Sequence, residues 1–258
     1  RIRLAADAQG VLTGVGHDDR VSTLPEEVFA EPTATSTHFL YGGENRSYLK
    51  QIARVHRVAS GSVRAPGEAV GMLALEAAMD ELAEKTGLDP VELRLRNLPD
   101  RHPETGVPYS ARSLAECLEA GAERFGWSER RGPGERREGD WLIGMGMSSA
   151  ARPNMLVPAA ARVTLSAGGA VVETDMTDIG TGSYAILTQI AAEMLGLPME
   201  RVETRLGDTD LPGASGSGGS FGAGSTGSAV FLAARRIRER LAEERVRRAM
   251  TFRRWSIF

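Results

Sequence analysis

Residues 213 to 229 read "GASGSGGSFGAGSTGSA", with seven glycines, five serines and one aromatic in seventeen positions. Composition of this kind makes a flexible coil, because glycine and serine hold the backbone to no single conformation. The setting constrains it differently. The stretch follows "MERVETRLGDTDLP", a patterned strand with a short exit, and runs straight into "VFLAARRIRERLAEE", a helical pattern. Spacers between domains seldom join a strand to a helix so closely. The residues alone leave two possibilities open. One is a spacer; the other is a loop whose bare N–H groups and hydroxyls (Ser215, Ser217, Ser220, Ser225, Ser228) surround an anion such as a phosphate.

A second glycine turn lies in "DIGTGSYAILTQIAAEMLG", residues 178 to 196, where Gly180, Gly182 and Ala185 spell G-x-G-x-x-A ahead of a helix. Free N–H groups at a helix start suit any anion, and glycines let it approach. The two loops flank one helix and one strand, so they are expected at the same end of the structure. A dinucleotide fold needs a parallel strand before the first glycine. Here "AARVTLSAGGAVVETDM" predicts a hairpin turning at Gly168-Gly169, which argues against it. A nicotinamide-dependent dehydrogenase remains the alternative, with Glu203 or Asp208 as the acid that would reach a ribose.

Upstream, "RIRLAADAQGVLTGVGHD" predicts a hairpin around Gly10, and "THFLY" and "QIARVHRV" predict short strands. Pro66 then precedes a helix whose apolar residues Val70, Leu73, Ala74, Ala77, Ala78 and Leu82 share a face, and Gly87 ends it. Asp89, Pro90 and Glu92 open a second helix as N-cap, first-turn proline and N3 acid. Ser113 and Glu116 open a third over 113–127. The charged "SERRGPGERREGD" is expected as a surface loop, and "WLIGMGMSSAA" and "ERVETRLGD" as strands. Hairpins mixed with helices place the chain in the α+β class, with mixed and antiparallel sheets and packed helices. Arg64, two residues before Pro66, sits outside a helix start. It is either a guanidinium offered to an oxyanion or one partner of a structural ion pair.

Composition removes several functions. One cysteine, Cys117, excludes an internal disulfide and cysteine-based zinc or iron–sulfur sites. His17, His38, His56 and His102 show no metal-ligand spacing. A net charge of −3 argues against nucleic-acid affinity. Residues 235 to 254 hold nine Arg and three Glu, a basic helix read as a solvated face. No run approaches the ~20 apolar residues of a membrane span.

Two long segments carry a resemblance. "VRAPGEAVGMLALEAAMDELAEKTGLDPVELRLRN" and "DMTDIGTGSYAILTQIAAEMLGLPMERVETRLGDTDLPGASGSGGSFGAGSTGSAV" resemble, in order and spacing, the large molybdopterin-binding subunit of the xanthine dehydrogenase/aldehyde oxidoreductase family. The likeness runs to about residue 240 and is nearest to bacterial three-subunit aldehyde oxidoreductases. It implies a fragment of the molybdopterin-binding domain pair of molybdenum hydroxylases, oxidising aldehydes or N-heterocycles with water as oxygen source. Gly180, Thr181, Gly182 and Ser183 match the stretch that cradles the pterin. Ser217, Gly218, Gly219 and Ser220 match a loop near the dithiolene and phosphates. Arg64 matches an arginine facing the molybdenum.

The resemblance also implies molybdopterin cytosine dinucleotide as cofactor, with [2Fe-2S] clusters on an iron–sulfur subunit and FAD on a further subunit. The metal would be held by the dithiolene, so protein metal ligands are not expected. The family's upstream Gly-Gly-Gly-Phe-Gly motif and its downstream Gly-Val-Gly-Glu motif, which supplies the catalytic glutamate, are not in this sequence. The chain is therefore expected to be the middle third of a subunit and inactive alone; a non-catalytic binding fragment is the other alternative. The expected organisation is a first molybdopterin-binding subdomain over 1–130, a linker over 131–140, a second subdomain over 141–245 and an atypical basic tail over 246–258. The expected location is the cytoplasm, with the periplasm as the alternative.

Overall fold

A computed structural model describes the backbone of residues 1–254 and the side chains of residues 1–247. The chain divides into two compact units, Arg1–Pro153 and Asn154 onward, each with a core of its own. Of the tail expected over 246–258, residues 255–258 lie outside the described residues.

In the first unit, β1 (Ile2–Ala6) and β2 (Leu12–Thr23) form the expected antiparallel hairpin, with Gly10 at φ +79°. Asp7 Oδ1 tightens the turn by accepting the N–H groups of Gln9 at 3.0 Å and Val11 at 2.8 Å. β3 (Asn45–Arg54) pairs with β2 in parallel, so the sheet is mixed, in the order β1-β2-β3. The strand expected in "QIARVHRV" stops at Arg54.

"THFLY" is not a strand. Ser36–His38 form one turn of 3-10 helix, and Leu40 and Tyr41 then drop into the core. Arg46 is the cause: its Nη1 donates to the carbonyls of Tyr41 and Gly42 at 3.2 Å and Gly43 at 3.3 Å, and its Nη2 to that of Thr37. A segment that converges four carbonyls on one guanidinium curls instead of extending.

α1 (Glu68–Thr86) ends, as expected, at Gly87 with φ +72°. The face it buries is a correction. Gly71, Leu75, Met79 and Ala83 point inward with Glu68 and Glu76, whereas Val70 is 54% and Leu73 75% exposed. The helix is apolar on two sides, so periodicity alone could not choose. Two contacts choose. A Cβ on Gly71 would lie 1.8 Å from the Thr33 carbonyl oxygen, so only the glycine side admits that backbone. Glu76 is drawn in by the fully buried Arg94, whose Nε donates to Glu76 Oε2 at 2.7 Å.

Arg94 lies on α2 (Pro90–Arg96), which starts as expected: Asp89 Oδ1 accepts from Val91 N at 2.8 Å and Glu92 N at 3.2 Å. Glu92 makes no reciprocal capping bond and pairs with Arg96 instead. α3 (Leu114–Phe125) forms too, but the Ser113 side chain makes no capping bond. The segment 131–140 lies inside the first unit and carries β4 (Arg136–Glu138), paired with β5 (Trp141–Ile143). The strand expected over "WLIGMGMSSAA" ends at Ile143, where its pairing with Arg136 of β4 ends; further on, Ser149 N–H is taken by Glu76 Oε2 at 2.6 Å.

In the second unit, β6 (Arg162–Ser166) and β7 (Gly169–Thr174) make the expected hairpin. β8 (Val202–Leu206) lies parallel to β7, and α4 (Ser183–Leu195) is the crossover between them. α5 (Gly222–Arg254) packs along α4, and Val172, Leu187, Ala191 and Val230 are the centre of the core. Both units are α+β with mixed sheets, as expected.

The choice of α1 face can be measured. Leu75→Ala is expected to cost ~2–5 kcal/mol of stability, as for other buried leucines. Leu73→Ala should stay within ~0.5 kcal/mol, as for surface positions. Urea denaturation midpoints of the two variants test this, and equal losses would contradict the observed rotation of the helix.

Candidate cofactor site

The two glycine loops of the second unit meet. Ser217 Oγ donates to the Thr177 carbonyl, Ala214 N–H to Asp175 Oδ1, and Asp175 N–H to the Pro212 carbonyl at 2.9 Å. Buried Met176 packs between them, and its sulfur accepts the Thr226 hydroxyl at 3.3 Å. A Cβ on Gly222 would stand 2.4 Å from the Met176 methyl, so a side chain there would require the end of Met176 to move.

The stretch 213–229 is therefore stapled, and the spacer reading fails. Most of its hydroxyls are spent internally. Ser215 Oγ lies 3.0 Å from Thr226 Oγ1, Ser225 Oγ accepts Val157 N–H at 3.0 Å, and Ser228 Oγ donates to the Gly224 carbonyl at 2.5 Å. Ser220 is exposed and its hydroxyl has no partner among the described residues. Gly219 and Ser220 have φ of +48° and +59°, and Phe221 N–H bonds the Gly218 carbonyl at 3.2 Å. Consecutive positive φ values under such a bond mark a type I′ turn. Gly218 is exposed at its edge, and α5 begins just beyond it.

The 178–184 loop is organised from within. Asp178 Oδ1 accepts the N–H groups of Gly180 at 2.8 Å and Thr181 at 2.9 Å, and Oδ2 that of Tyr184 at 3.3 Å. Desolvation pushes the Asp178 carboxyl up, but the N–H donors of Gly180, Tyr184 and Thr181 outweigh it and hold the group below its ordinary 3.8. The Gly180, Thr181 and Tyr184 amides, which the sequence offered to an anion around the start of α4, are thus already engaged. What remains open is the space. Gly180 and Gly182 have φ of +92° and +80°, are exposed, and a Cβ on either would meet nothing within 4 Å. Thr181 is exposed beside buried Ser183, with their hydroxyl oxygens 3.2 Å apart.

The dinucleotide alternative fares poorly despite the parallel β7-α4-β8 crossover. β7 ends at Thr174, and Gly180 follows only after Asp175–Ile179, whereas a dinucleotide turn begins at the strand end. Ala185, which would need to pack against the sheet, is exposed. Glu203 is paired with Arg205 at 2.8 Å, and Asp208 Oδ1 accepts Asp210 N–H at 2.9 Å.

Arg64 belongs to the first unit. It is exposed, and its guanidinium has no hydrogen-bond or ion-pair partner among the described residues, so the ion-pair reading of this residue falls away. Its neighbour Ala65 has φ +45°. Among the described residues only Ala65 and Ser220 are non-glycine residues with positive φ, and both lie in stretches singled out by sequence. Backbone strain of this sort, ~1–3 kcal/mol per residue, persists where surrounding contacts enforce it and gathers at functional sites.

These residues fit a phosphate-bearing pterin through open backbone, the Ser220, Thr181 and Ser183 hydroxyls, and the first N–H groups of α5, which have no intrahelical acceptor. Comparison with known proteins gives the group its name. Residues 1–98 and residues 120–252 each match a molybdopterin cofactor-binding domain. The chain belongs to the molybdopterin-binding xanthine dehydrogenase/aldehyde oxidoreductase family. The chain is 45% identical over 246 residues to the aldehyde oxidoreductase molybdenum-binding subunit PaoC of Escherichia coli K12, covering 93% of this chain and 33% of that one. It is 32% identical to the nicotine 6-hydroxylase large subunit of Paenarthrobacter nicotinovorans, again over 93% of this chain and 33% of the other. The chain thus spans about a third of the length of these curated relatives. Among solved structures, the aldehyde oxidoreductase of Desulfovibrio desulfuricans superposes with a TM-score of 0.73 at 25% identity, over 90% of this chain and 27% of that one.

Family membership makes molybdopterin the cofactor of these domains, and one residue beside the glycine turn carried no motif of its own. Asp178 shapes the 178–184 loop, and the D-x-G pattern of an Asx turn was its only sequence signal. Asp178→Ala is expected to speed amide exchange at Gly180, Thr181 and Tyr184. In the unsubstituted protein the depressed carboxyl keeps those amides protected as pH falls through 3.8, with protection lost only below it. Amide exchange followed by NMR against pH checks both statements; unchanged exchange in the variant would remove Asp178 from this role.

Proposed function

We propose that this chain is part of the large subunit of a molybdenum hydroxylase that holds molybdopterin as its cytosine dinucleotide. The assembled enzyme oxidises aldehydes or N-heterocycles with oxygen from water. The reading is carried by the ordered pair of molybdopterin cofactor-binding domain matches over residues 1–98 and 120–252. The aldehyde oxidoreductase subunit at 45% identity supports the aldehyde class, and the nicotine 6-hydroxylase subunit supports the heterocycle class. An iron–sulfur subunit and an FAD subunit are the proposed partners.

When bound, the cofactor would supply the redox centre. The chain supplies the setting. In the second unit, the type I′ turn at Gly218–Phe221 and the start of α5 would hold phosphate oxygens through N–H groups, with Ser217 fastening the turn to Thr177. Gly180 and Gly182 would leave the pterin an open approach, flanked by the Thr181 and Ser183 hydroxyls. In the first unit, Arg64, whose guanidinium has no partner among the described residues, would face the substrate oxygen and stabilise charge developing there. A base is also needed, and the motif that supplies the family's glutamate is not in these residues. The chain by itself is therefore proposed to be inactive.

The test is the complete large subunit, assembled with both partners. It should contain molybdenum and release a cytosine nucleotide on acid hydrolysis; assembled protein with neither would refute the proposal. In that enzyme, Arg64→Ala should lower kcat/KM by ~100-fold, the usual weight of one oxyanion donor, at unchanged molybdenum content. Wild-type kinetics in the variant would take Arg64 out of the site.

A further inference from the structure

The turn that presents Arg64 is braced by a segment in which sequence motifs mark nothing. Glu31 Oε1 accepts the Gly67 N–H at 2.5 Å, from 36 residues away in the chain. Beside it, a Cβ on Gly67 would stand 2.2 Å from the Pro32 carbonyl oxygen, so backbone lies directly on backbone. The bracing segment is itself anchored on β2. Thr33 Oγ1 donates to Asp19 Oδ2, and Thr37 Oγ1 lies 2.8 Å from Nδ1 of the buried His17. A continuous set of contacts therefore runs from the sheet, through residues 31–37, to the Arg64–Gly67 turn.

That turn needs support. Ala65 at φ +45° precedes a proline, a position that favours extended backbone, and Gly67 follows at φ +88°. The Arg64 side chain contributes no hydrogen bond of its own among the described residues. Gly67 is also the N-cap of α1 and has no side chain with which to cap. Its N–H is the donor that a capping-box glutamate takes in other helices, and here a glutamate from a distant loop accepts it. A negative charge at this helix start is also favoured by the helix dipole.

We propose that Glu31 is a positioning residue for Arg64, its carboxylate holding the Gly67 N–H so that the strained turn keeps the guanidinium presented. This rests on the place given to Arg64 in the proposed function. A glutamate that only caps α1 would stabilise the protein whether or not Arg64 were present. A positioning glutamate matters to turnover only through Arg64.

The experiment uses the complete large subunit assembled with its partners. Glu31→Ala should reduce kcat/KM by ~10-fold at unchanged molybdenum content, the weight of one hydrogen bond to a charged acceptor. Glu31→Gln, which keeps an oxygen acceptor, should stay within ~3-fold by the same reasoning. In an Arg64→Ala background, Glu31→Ala should cause no further loss. Hydrogen exchange in the assembled protein gives a readout apart from turnover: peptides spanning 62–69 should exchange ~10-fold faster in Glu31→Ala and nearly as wild type in Glu31→Gln.

Wild-type kcat/KM, a loss that adds to that of Arg64→Ala, or unchanged exchange over 62–69 would each overturn the proposal. If Glu31→Ala does not assemble, Glu31→Asp, shorter by one methylene, takes its place, with a smaller loss that again vanishes without Arg64. Should Arg64→Ala itself leave kcat/KM untouched, the placement of Arg64 fails, while the exchange result still reports on whether Glu31 holds the turn.

Discussion

The first unit depends on one buried ion pair. Arg94 is wholly buried, donating to Glu76 Oε2 at 2.7 Å, to the carbonyls of Glu76 and Pro90 at 3.1 Å, and pairing with Asp80 at 2.8 Å. Glu76 also accepts the Tyr41 hydroxyl and the Ser149 N–H, each at 2.6 Å. Neither charge could be buried alone, because desolvating an isolated ion costs several kcal/mol. Together they are satisfied almost completely, and they join α1, α2, the curled segment ending at Tyr41 and the strand exit at Ser149. Burial, and then the Glu76 charge, push the Tyr41 hydroxyl far up, so it stays a donor. With Glu76 held inward, α1 has one allowed rotation. That rotation sets Gly71 against Thr33 and aims the start of the helix, and hence the Arg64 turn, in one direction.

The second unit solves a different problem with glycine. Glycine-rich backbone that is exposed is mobile unless something else holds it. Here Ser217, Ser215, Thr226 and Asp175 use their polar atoms to tie the loop down from behind, and Met176 fills the space between. The stretch keeps the composition of a coil while losing its freedom. Ser220 is left exposed at positive φ on the outer side of the turn. Asp178 gives the 178–184 loop its shape by occupying the Gly180, Thr181 and Tyr184 amides.

Much of this was legible beforehand, for local reasons. The β1–β2 and β6–β7 hairpins follow from alternation around glycine turns, and α2 from Asp89 and Pro90 acting on their immediate neighbours. The glycine loops were visible as composition in a strand-to-helix setting. The failures share a cause in partners that are distant in sequence. "THFLY" has strand chemistry, but Arg46 collects its carbonyls. Val70 and Leu73 have core chemistry, but Glu76 and Gly71 turn them outward. Glu31 carries no motif; only folding brings it to Gly67.

By itself the sequence determined the α+β class, the helix ends at Gly87 and Asp89, and, through two ordered motifs, membership of the molybdopterin-binding family. Those are properties of neighbouring residues or of patterns, and they survive without coordinates. Tertiary structure alone decided which face of α1 is core, that β8 lies parallel to β7, that the serine-rich stretch is stapled, and that Arg64 has no partner among the described residues and stands on a braced turn. Each depends on a hydrogen bond, a charge pair or a close backbone approach between remote segments. The free energy of such a contact exists only once the chain has folded and water has been excluded from between the partners.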